Sequence, residues 1–354
     1  MMALPVSTPA ELEARLGGLV DRFQAPLRRA MGAFLEGRTL RHYSFMRYHL
    51  GWEDAEGNPI DGPTGKLLRP LLCLLSCEAV GGDSRRALPA AAALEFLHNF
   101  TLVHDDIQDA SPKRHGRDTV WSLWGQALAI NVGDGLYALA HAALLALTDE
   151  GVRPDVVLRA ASLLDEASLL LCEGQFRDLT FEERDRVSCD EYLAMIEGKT
   201  AALMSASAAI GSLVGGAAPD VVAAFQEAGR RLGLAFQIRD DVLGVWGDPE
   251  DTGKVTGEDI WARKKTYPVV YAMERASDPD RARLRELYGA PRFKQEAFDE
   301  VGAILRRCGA RAASDEAASL HAGAALAALD ALDLRSGSRE ELATLAAYFA
   351  TRRR

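Results

Sequence analysis

The residues with the plainest chemical potential lie between Leu94 and Trp121, in the run LEFLHNFTLVHDDIQDASPKRHGRDTVW. At about 100° per residue on a helix, His98, Leu102, Asp105 and Asp109 fall within an arc of roughly 60°. Two carboxylates and an imidazole then share one stripe. Like charges roughly 6 Å apart at an effective dielectric near 20 repel by about 3 kcal/mol, and the C-terminal end of a helix disfavours anions further. An alignment of Asp105 and Asp109, with Asp106 beside them, is therefore expected to serve a cation. Oxygen ligands favour magnesium or manganese over zinc. A solvated acidic helix end is the plain alternative.

A second acidic cluster strengthens the cation reading. Phe236 to Lys254 runs FQIRDDVLGVWGDPEDTGK, again a pair (Asp240, Asp241) after an apolar helical stretch, with Asp248 and Lys254 beyond. Two such clusters facing one another across a helical cavity would hold divalent ions, and magnesium keeps water and substrate phosphates among its ligands. Cationic partners for a phosphate are at hand. Lys66 and Arg69 lie one turn apart at the expected start of a helix, where free N–H groups attract anions. Arg114 and Arg117 follow the first cluster, and Lys199, Lys254, Lys264 and Lys265 come later. Any one of these is more often a surface charge than a ligand; their placement beside Gly, Pro and the acidic clusters is what singles them out.

Helices must position these groups. Thr8 and Pro9 with Glu11 three residues after Thr8 read as a capping box, and Leu12, Leu16, Leu19, Phe23 and Leu27 continue at helical spacing. Residues 42–65 lose that period and collect Gly51, Gly57, Pro59, Gly62 and Pro63, which predicts a long loop. Helical stretches are expected over about 66–80, 86–109, 120–147, 153–177, 189–214 and 219–246. Period-two alternation is sustained nowhere, so the fold class is all-α, a single helical domain over 1–354 whose last hundred residues form a helical extension.

Composition narrows the partners. The 354 residues carry a net charge of −10, with 48% hydrophobic and 26% charged residues, so the chain can bury a core and lacks the basic footprint of a nucleic-acid binder. Five cysteines form no CxxC pair, and Cys73 and Cys77 read as small buried thiols in a reducing cytoplasm. No signal peptide is expected. The uncharged run from Thr200 to Pro219 is long enough to span a bilayer, but its Ala, Gly and Ser content predicts a close-packed internal helix and no membrane span. GPTGKL around Lys66 lacks the remaining residues of a P-loop, and no GxSxG, HExxH or dinucleotide fingerprint is present.

Several motifs, in order from Gly65 to Pro268, resemble those of the trans-isoprenyl diphosphate synthases, or polyprenyl synthetases. GKLLRP (Gly65 to Pro70) is similar to the family's GGKxxRP, with Thr64 for its first glycine. DDIQD (Asp105 to Asp109) resembles the first aspartate-rich motif without inserted residues. EGQFRDL (Glu173 to Leu179), Lys199-Thr200, FQIRDD (Phe236 to Asp241) and GDPEDTGK (Gly247 to Lys254) follow. The resemblance implies a large bundle of antiparallel helices around a deep central cavity, usually a homodimer, with a cluster of three magnesium ions that manganese could replace. It implies that Lys66, Arg69 and His98 hold the diphosphate of isopentenyl diphosphate, and that Asp105, Asp109 and Asp240 ligate metal with Asp106 and Asp241 in support. Arg114, Lys199 and Lys254 would then hold the allylic diphosphate, and Thr200 and Gln237 would stand near the developing carbocation.

Two positions depart from the family pattern. Its paired arginine appears here as Arg114-His115, so His115 supplies a second charge only when protonated. The last Asp of the second DDxxD is Gly244, which removes a carboxylate, although Asp240 and Asp241 remain and Asp248 lies one helical turn beyond; activity is expected to survive. The implied reaction is ionisation of an allylic diphosphate, attack by the double bond of isopentenyl diphosphate, and loss of a proton, with water kept out because it would capture the cation. For product length, the family places bulky residues four and five positions before the first Asp, here Thr101 and Phe100. An aromatic at the farther position resembles enzymes that stop at twenty carbons, so geranylgeranyl diphosphate is expected, with farnesyl diphosphate the alternative. A helical wheel sets Phe100 about 140° from Asp105, which also suits a plain core residue. A class I terpene cyclase would not need Lys66, Arg69 and His98, and a non-catalytic partner subunit would not need an intact first motif. The C-terminal Arg352 to Arg354 could close over a bound diphosphate, but a frayed, solvated end is the expected reading.

Overall fold

The computed structural model describes residues 8–62, 65–248, 256–290 and 292–352. Two compact units organise the chain, each assembled from separated segments. We call Gly17–Leu164 with Ser207–Val222 the amino-terminal unit, and Met1–Leu16, Asp165–Ala206 and Ala223–Arg354 the carboxy-terminal unit. Helices dominate both, and the all-α expectation holds. The paired strands among the described residues are the two-residue β1 (Lys113–Arg114) and β2 (Arg117–Asp118).

The chain opens with α1 (Pro9–Ala33), started by the expected capping box: Thr8 N donates to Glu11 Oε2 at 2.7 Å, and Glu11 N donates to Thr8 Oγ1 at 3.3 Å. The stretch read as one long loop is part helix. Arg41–His49 forms α2, whose Phe45, Met46 and Tyr48 are buried, before an irregular segment closed by a Glu53 and Pro59 bridge. A helix of this length shows too few turns for its period to stand out, and its stability comes from tertiary packing. Phe45 stacks on Trp124 at 4.1 Å, and Tyr48 Oη donates to the Asp118 carbonyl at 2.7 Å.

In the amino-terminal unit α3 (Leu68–Ala79), α4 (Leu88–Gln108), α5 (Val120–Trp124) and α6 (Gln126–Leu145) follow. Ala90 to Ala93, Leu94, Phe96 and Leu97 of α4 are fully buried. Gly211 packs on α3 so closely that a Cβ there would stand 2.0 Å from the Cys73 carbonyl oxygen. The small residues of the Thr200 to Pro219 run are thus a close-packed internal helix, α9 (Ala202–Val214), with every residue from Thr200 to Ser212 buried. Cys73 and Cys77 are buried thiols, as expected. A different stretch, Gln126–Thr148, is long and apolar enough to cross a membrane by length and composition alone, although part of it is buried within the protein.

The carboxy-terminal unit contains α7 (Pro154–Glu182, from Asp165 on), α8 (Cys189–Ile196), a π-helical turn (Glu197–Ala201) and most of α10 (Pro219–Trp246). The last hundred residues are helical too: α11 (Glu258–Trp261), α12 (Tyr267–Arg275), α13 (Asp278–Gly289), α14 (Gln295–Arg307), α15 (Ala310–Leu329) and α16 (Ser336–Thr351). Val269, Met273, Leu284, Leu287, Ile304 and Leu305 among them share one buried core with Val245 of α10.

Candidate active site

In the amino-terminal unit the first acidic motif occupies the last turn of α4 and its cap, the end of the helix that the macrodipole makes least hospitable to carboxylates. Arg114 offsets that charge. Its Nε donates to Asp106 Oδ1 at 2.8 Å, and its Nη2 lies 2.8 Å from the same oxygen and 3.8 Å from Asp105 Oδ2. Asp106 is buried, which raises its pKa against the opposing pull of Arg114, whereas Asp105 is partly exposed and Asp109 exposed. Asp106 therefore orders the motif from inside, and Asp105 and Asp109 face outward.

Arg114 reaches back because the chain reverses immediately after it. His115 (φ 50°) and Gly116 (φ 77°) form a two-residue loop with both residues left-handed, the geometry of a type I′ hairpin. His115 stands exposed at its tip. Arg117 is a staple: its Nη1 and Nη2 donate to the carbonyls of Tyr48 and Glu53, both at 3.0 Å.

Arg69 and His98, distant in sequence, meet at 3.1 Å between Nη1 and Nε2. Burial and the adjacent guanidinium push the His98 pKa well down, so the neutral ring accepts from Arg69. Glu95 sits nearby, its pKa raised by burial, and its Oε1 accepts from Asn99 Nδ2 at 2.9 Å. Arg69 Nε is buried with no hydrogen-bond partner, a donor left for an anion. Lys66 is not on the helix as expected: α3 begins at Leu68, and Leu67 at its cap is left-handed (φ 52°), so Lys66 extends from the exposed approach to it. Thr64 lies outside the described residues. Phe100 packs edge-on against Tyr137 and His104, with centroids at 5.2 and 4.7 Å, and Thr101 Oγ1 bonds back to the His98 carbonyl at 2.7 Å.

In the carboxy-terminal unit Lys199 and Thr200 ride on the π-helical turn. Glycines let it approach two helices. A Cβ on Gly174 of α7 would stand 2.1 Å from Lys199 N, one on Gly198 2.5 Å from the Leu170 carbonyl, and one on Gly233 of α10 2.4 Å from Ala201 Cα. Lys199 Nζ lies 2.5 Å from Asp178 Oδ2, within the EGQFRDL run. Thr200 Oγ1 donates to Gln237 Oε1 at 2.7 Å, and Gln237 Nε2 donates to Asp241 Oδ1 at 3.2 Å. Asp241 Oδ2 also accepts from Tyr192 Oη and, at 2.7 Å, from Tyr267 N. Burial pushes Asp241 up to about 7 despite these donors. Its two oxygens are thus engaged within the protein.

Asp240 is half-exposed, and its Oδ1 lies 2.5 Å from Arg352 Nη2. The expectation of a frayed terminus is therefore wrong at Arg352, which is 7% exposed: its guanidinium covers the Phe236 ring at 4.1 Å, and its carbonyl accepts from Arg239 Nε at 2.7 Å. At Gly244 a Cβ would lie 1.8 Å from Asp259 Oδ2 and 2.6 Å from its Cγ, so the carboxylate of Asp259 occupies the space of the missing side chain. Asp248 does not continue the Asp240 face by another helical turn, because α10 ends at Trp246. Lys254 lies outside the described residues. Lys265 is structural, its Nζ donating to the carbonyls of Phe181 and Glu182. No sequence signal pointed to Asp259, and Asp178 was flagged only by the EGQFRDL run that contains it, since the contacts of both follow from helix crossings.

Among the described residues no group of three or more His, Cys, Asp or Glu side chains could hold an ion alone. The donor chemistry nevertheless fits magnesium. Asp105, Asp109 and Asp240 offer hard oxygens, and this ion characteristically completes its shell with water and substrate phosphates. Both clusters also already draw a cationic guanidinium, Arg114 at one and Arg352 at the other.

The profile of the polyprenyl synthetase family matches residues 58–305. A protein of Mycobacterium tuberculosis named (2E,6E)-farnesyl diphosphate synthase is 44% identical over 264 residues, 74% of this chain and 72% of its own. A second from the same organism, named geranylgeranyl diphosphate synthase, is 40% identical over 324 residues, 91% of this chain and 90% of its own. Among solved structures, a polyprenyl synthetase from Streptomyces coelicolor superposes with a TM-score of 0.88 at 37% identity, covering 94% of this chain and 99% of the other.

Proposed function

The chain belongs to the polyprenyl synthetase family and is a prenyltransferase acting on isoprenyl diphosphates, and from that premise we propose that it condenses isopentenyl diphosphate head-to-tail with an allylic diphosphate to give geranylgeranyl diphosphate. The observation that carries the two-substrate reading is the Arg69–His98 pair, whose buried, unpartnered Nε offers an anion a donor apart from the metal-type carboxylates. Lys66 and Arg69 hold the diphosphate of isopentenyl diphosphate, and neutral His98 adds no competing charge. The family is divalent-metal dependent. In this reading Asp105, Asp109 and Asp240 are the metal ligands, the number of ions is three, and manganese can substitute; when bound, the metal supplies positive charge to the departing pyrophosphate.

Arg114, Lys199 and Lys254 hold the allylic diphosphate, with His115 adding charge when protonated. Each described arginine or lysine of this set is preoriented by an aspartate, Arg114 by Asp106 and Lys199 by Asp178, so little reorganisation is needed as charge builds on the leaving group. Thr200 and Gln237 present oxygens whose partial negative charge favours a nearby carbocation. The proton lost from the condensed product passes to pyrophosphate, and an apolar surround keeps water from the cation.

Phe100, wedged against Tyr137 and His104, supports a twenty-carbon limit. The farnesyl alternative is favoured by the 44% identical relative. We further take both units as one catalytic domain, since the family profile runs through segments of each. A homodimer is supported by exposed apolar side chains at Leu128, Ile130 and Leu145 of α6 in the amino-terminal unit, which a second copy would cover. The thiols suit the cytoplasm.

The test is elongation assayed with purified protein, magnesium, isopentenyl diphosphate and each allylic primer in turn, with products sized by chromatography. Twenty-carbon product is expected. Fifteen-carbon product alone would favour the farnesyl reading, and no elongation with any primer would overturn the synthase reading.

A further inference from the structure

We propose that Asp259 supplies the third carboxylate of the second acidic cluster from a different helix, in the space that Gly244 leaves open, and there faces the divalent ion held by Asp240. Three observations carry this. Gly244 stands four residues after Asp240 on α10, so any side chain at 244 would share a face with Asp240. That place is filled, not empty: both Cγ and Oδ2 of Asp259 lie within bonding range of where a Cβ on Gly244 would be, 2.6 and 1.8 Å away. No residue other than glycine can therefore stand at 244 while Asp259 keeps its position. The two residues are alternatives for one site.

The cluster already attracts a cation, because the guanidinium of Arg352, over nine-tenths buried and with its Nε unpartnered, closes on Asp240. Gathering Asp240 and Asp259 beside a buried Asp241 carries a repulsion that a bound divalent ion would offset. The glycine in the motif is thus a relocation of the carboxylate and not a loss of it. This inference rests on the metal-dependent reading above and adds to it a residue outside the motif.

Manganese binding in the presence of inorganic pyrophosphate, followed by the electron paramagnetic resonance signal of free ion, tests it without turnover. The unaltered protein should bind manganese; if it does not, the metal-dependent reading fails before Asp259 is considered. Asp259→Asn, nearly isosteric, should weaken binding about tenfold, in the range seen for residues that support metal ligands. The double variant Gly244→Asp/Asp259→Gly, which returns the carboxylate to α10, should recover affinity to within about threefold. Circular dichroism checks that each variant folds, and either variant alone decides if the other does not. Unchanged affinity in Asp259→Asn, or a double variant as weak as one lacking both carboxylates (Asp259→Gly), would overturn the proposal while leaving the prenyltransferase reading intact.

Discussion

Arg352 Nη2 lies 2.5 Å from Asp240 Oδ1, so the last described residue of the chain is clamped to the aspartate that opens the second acidic motif. The contact is built from three sides: Phe236 beneath the guanidinium, Arg239 on the Arg352 carbonyl, and α16 ending at Thr351. On the proposed reading of Asp240 as a metal ligand, Arg352 balances its charge in the metal-free protein.

Arg352→Gln should make magnesium easier to bind, because it removes the competing cation. Asp240 is half-exposed, so the pair contributes about 0.5–1 kcal/mol, and the half-saturating magnesium concentration should fall roughly two- to fivefold. Magnesium titration followed by the rise in thermal midpoint measures it. An unchanged or higher requirement would show that Arg352 does not compete.

Asp105→Ala should lower elongation by at least about a hundredfold, the scale for removing one charge-stabilising group, with helical circular dichroism unaltered because Asp105 is partly exposed at the end of α4. Incorporation of labelled isopentenyl diphosphate gives the rate. Turnover equal to the parent would refute the assignment of Asp105.

Gly174→Ala sets a methyl group against the backbone nitrogen of Lys199 at 2.1 Å, and neither side is a flexible chain end. We expect a loss of about 1–3 kcal/mol in urea unfolding together with a fall in kcat as Lys199 and Thr200 shift. A fully stable and active Gly174→Ala protein would mean that the π-helical turn tolerates displacement.

Phe100→Ala should lengthen the product by at least one five-carbon unit if Phe100, held by Tyr137 and His104, limits the tail. Chromatographic sizing of the products decides it, and an unaltered product length would assign Phe100 to ordinary core packing.

Stability should fall in mild acid, in part through His49. Burial, with Arg114 and Arg117 nearby, pushes its pKa down to about 3 from 6.5. The folded pKa is the lower one, so the unfolded chain takes up the proton first. The His49 contribution is intact above pH 6.5 and is lost as pH falls from there toward 3. Between pH 7.5 and 5 this loss is at most about 2 kcal/mol. Urea midpoints at the two pH values measure it, and His49→Gln should flatten the difference.

The elements that were legible in the sequence are those whose cause is local. The capping box at Thr8 and Glu11, the burial of the Thr200 to Ser212 run and the span of α10 all follow from caps, small residues and helical period, and so does the stripe carrying Asp105 and Asp109. What was misread depended on contacts across the chain. Residues 41–49 become helix because Phe45 and Tyr48 find Trp124. Lys66 loses its place on α3 because Leu67 turns left-handed. Arg117 and Lys265 spend their charges on backbone carbonyls.

By itself the sequence determined the chemistry on offer: the acidic motifs, the cations beside them, and through their order the family. Side-chain type and local spacing are written along one dimension, and helical geometry converts them directly into faces. Only the tertiary structure decided which charges meet. That Arg352 rests on Asp240, that Arg69 and His98 share a hydrogen bond, and that Asp259 fills the space above Gly244 are consequences of where helices cross. Crossings are set by packing among residues far apart in the chain, which no local pattern encodes.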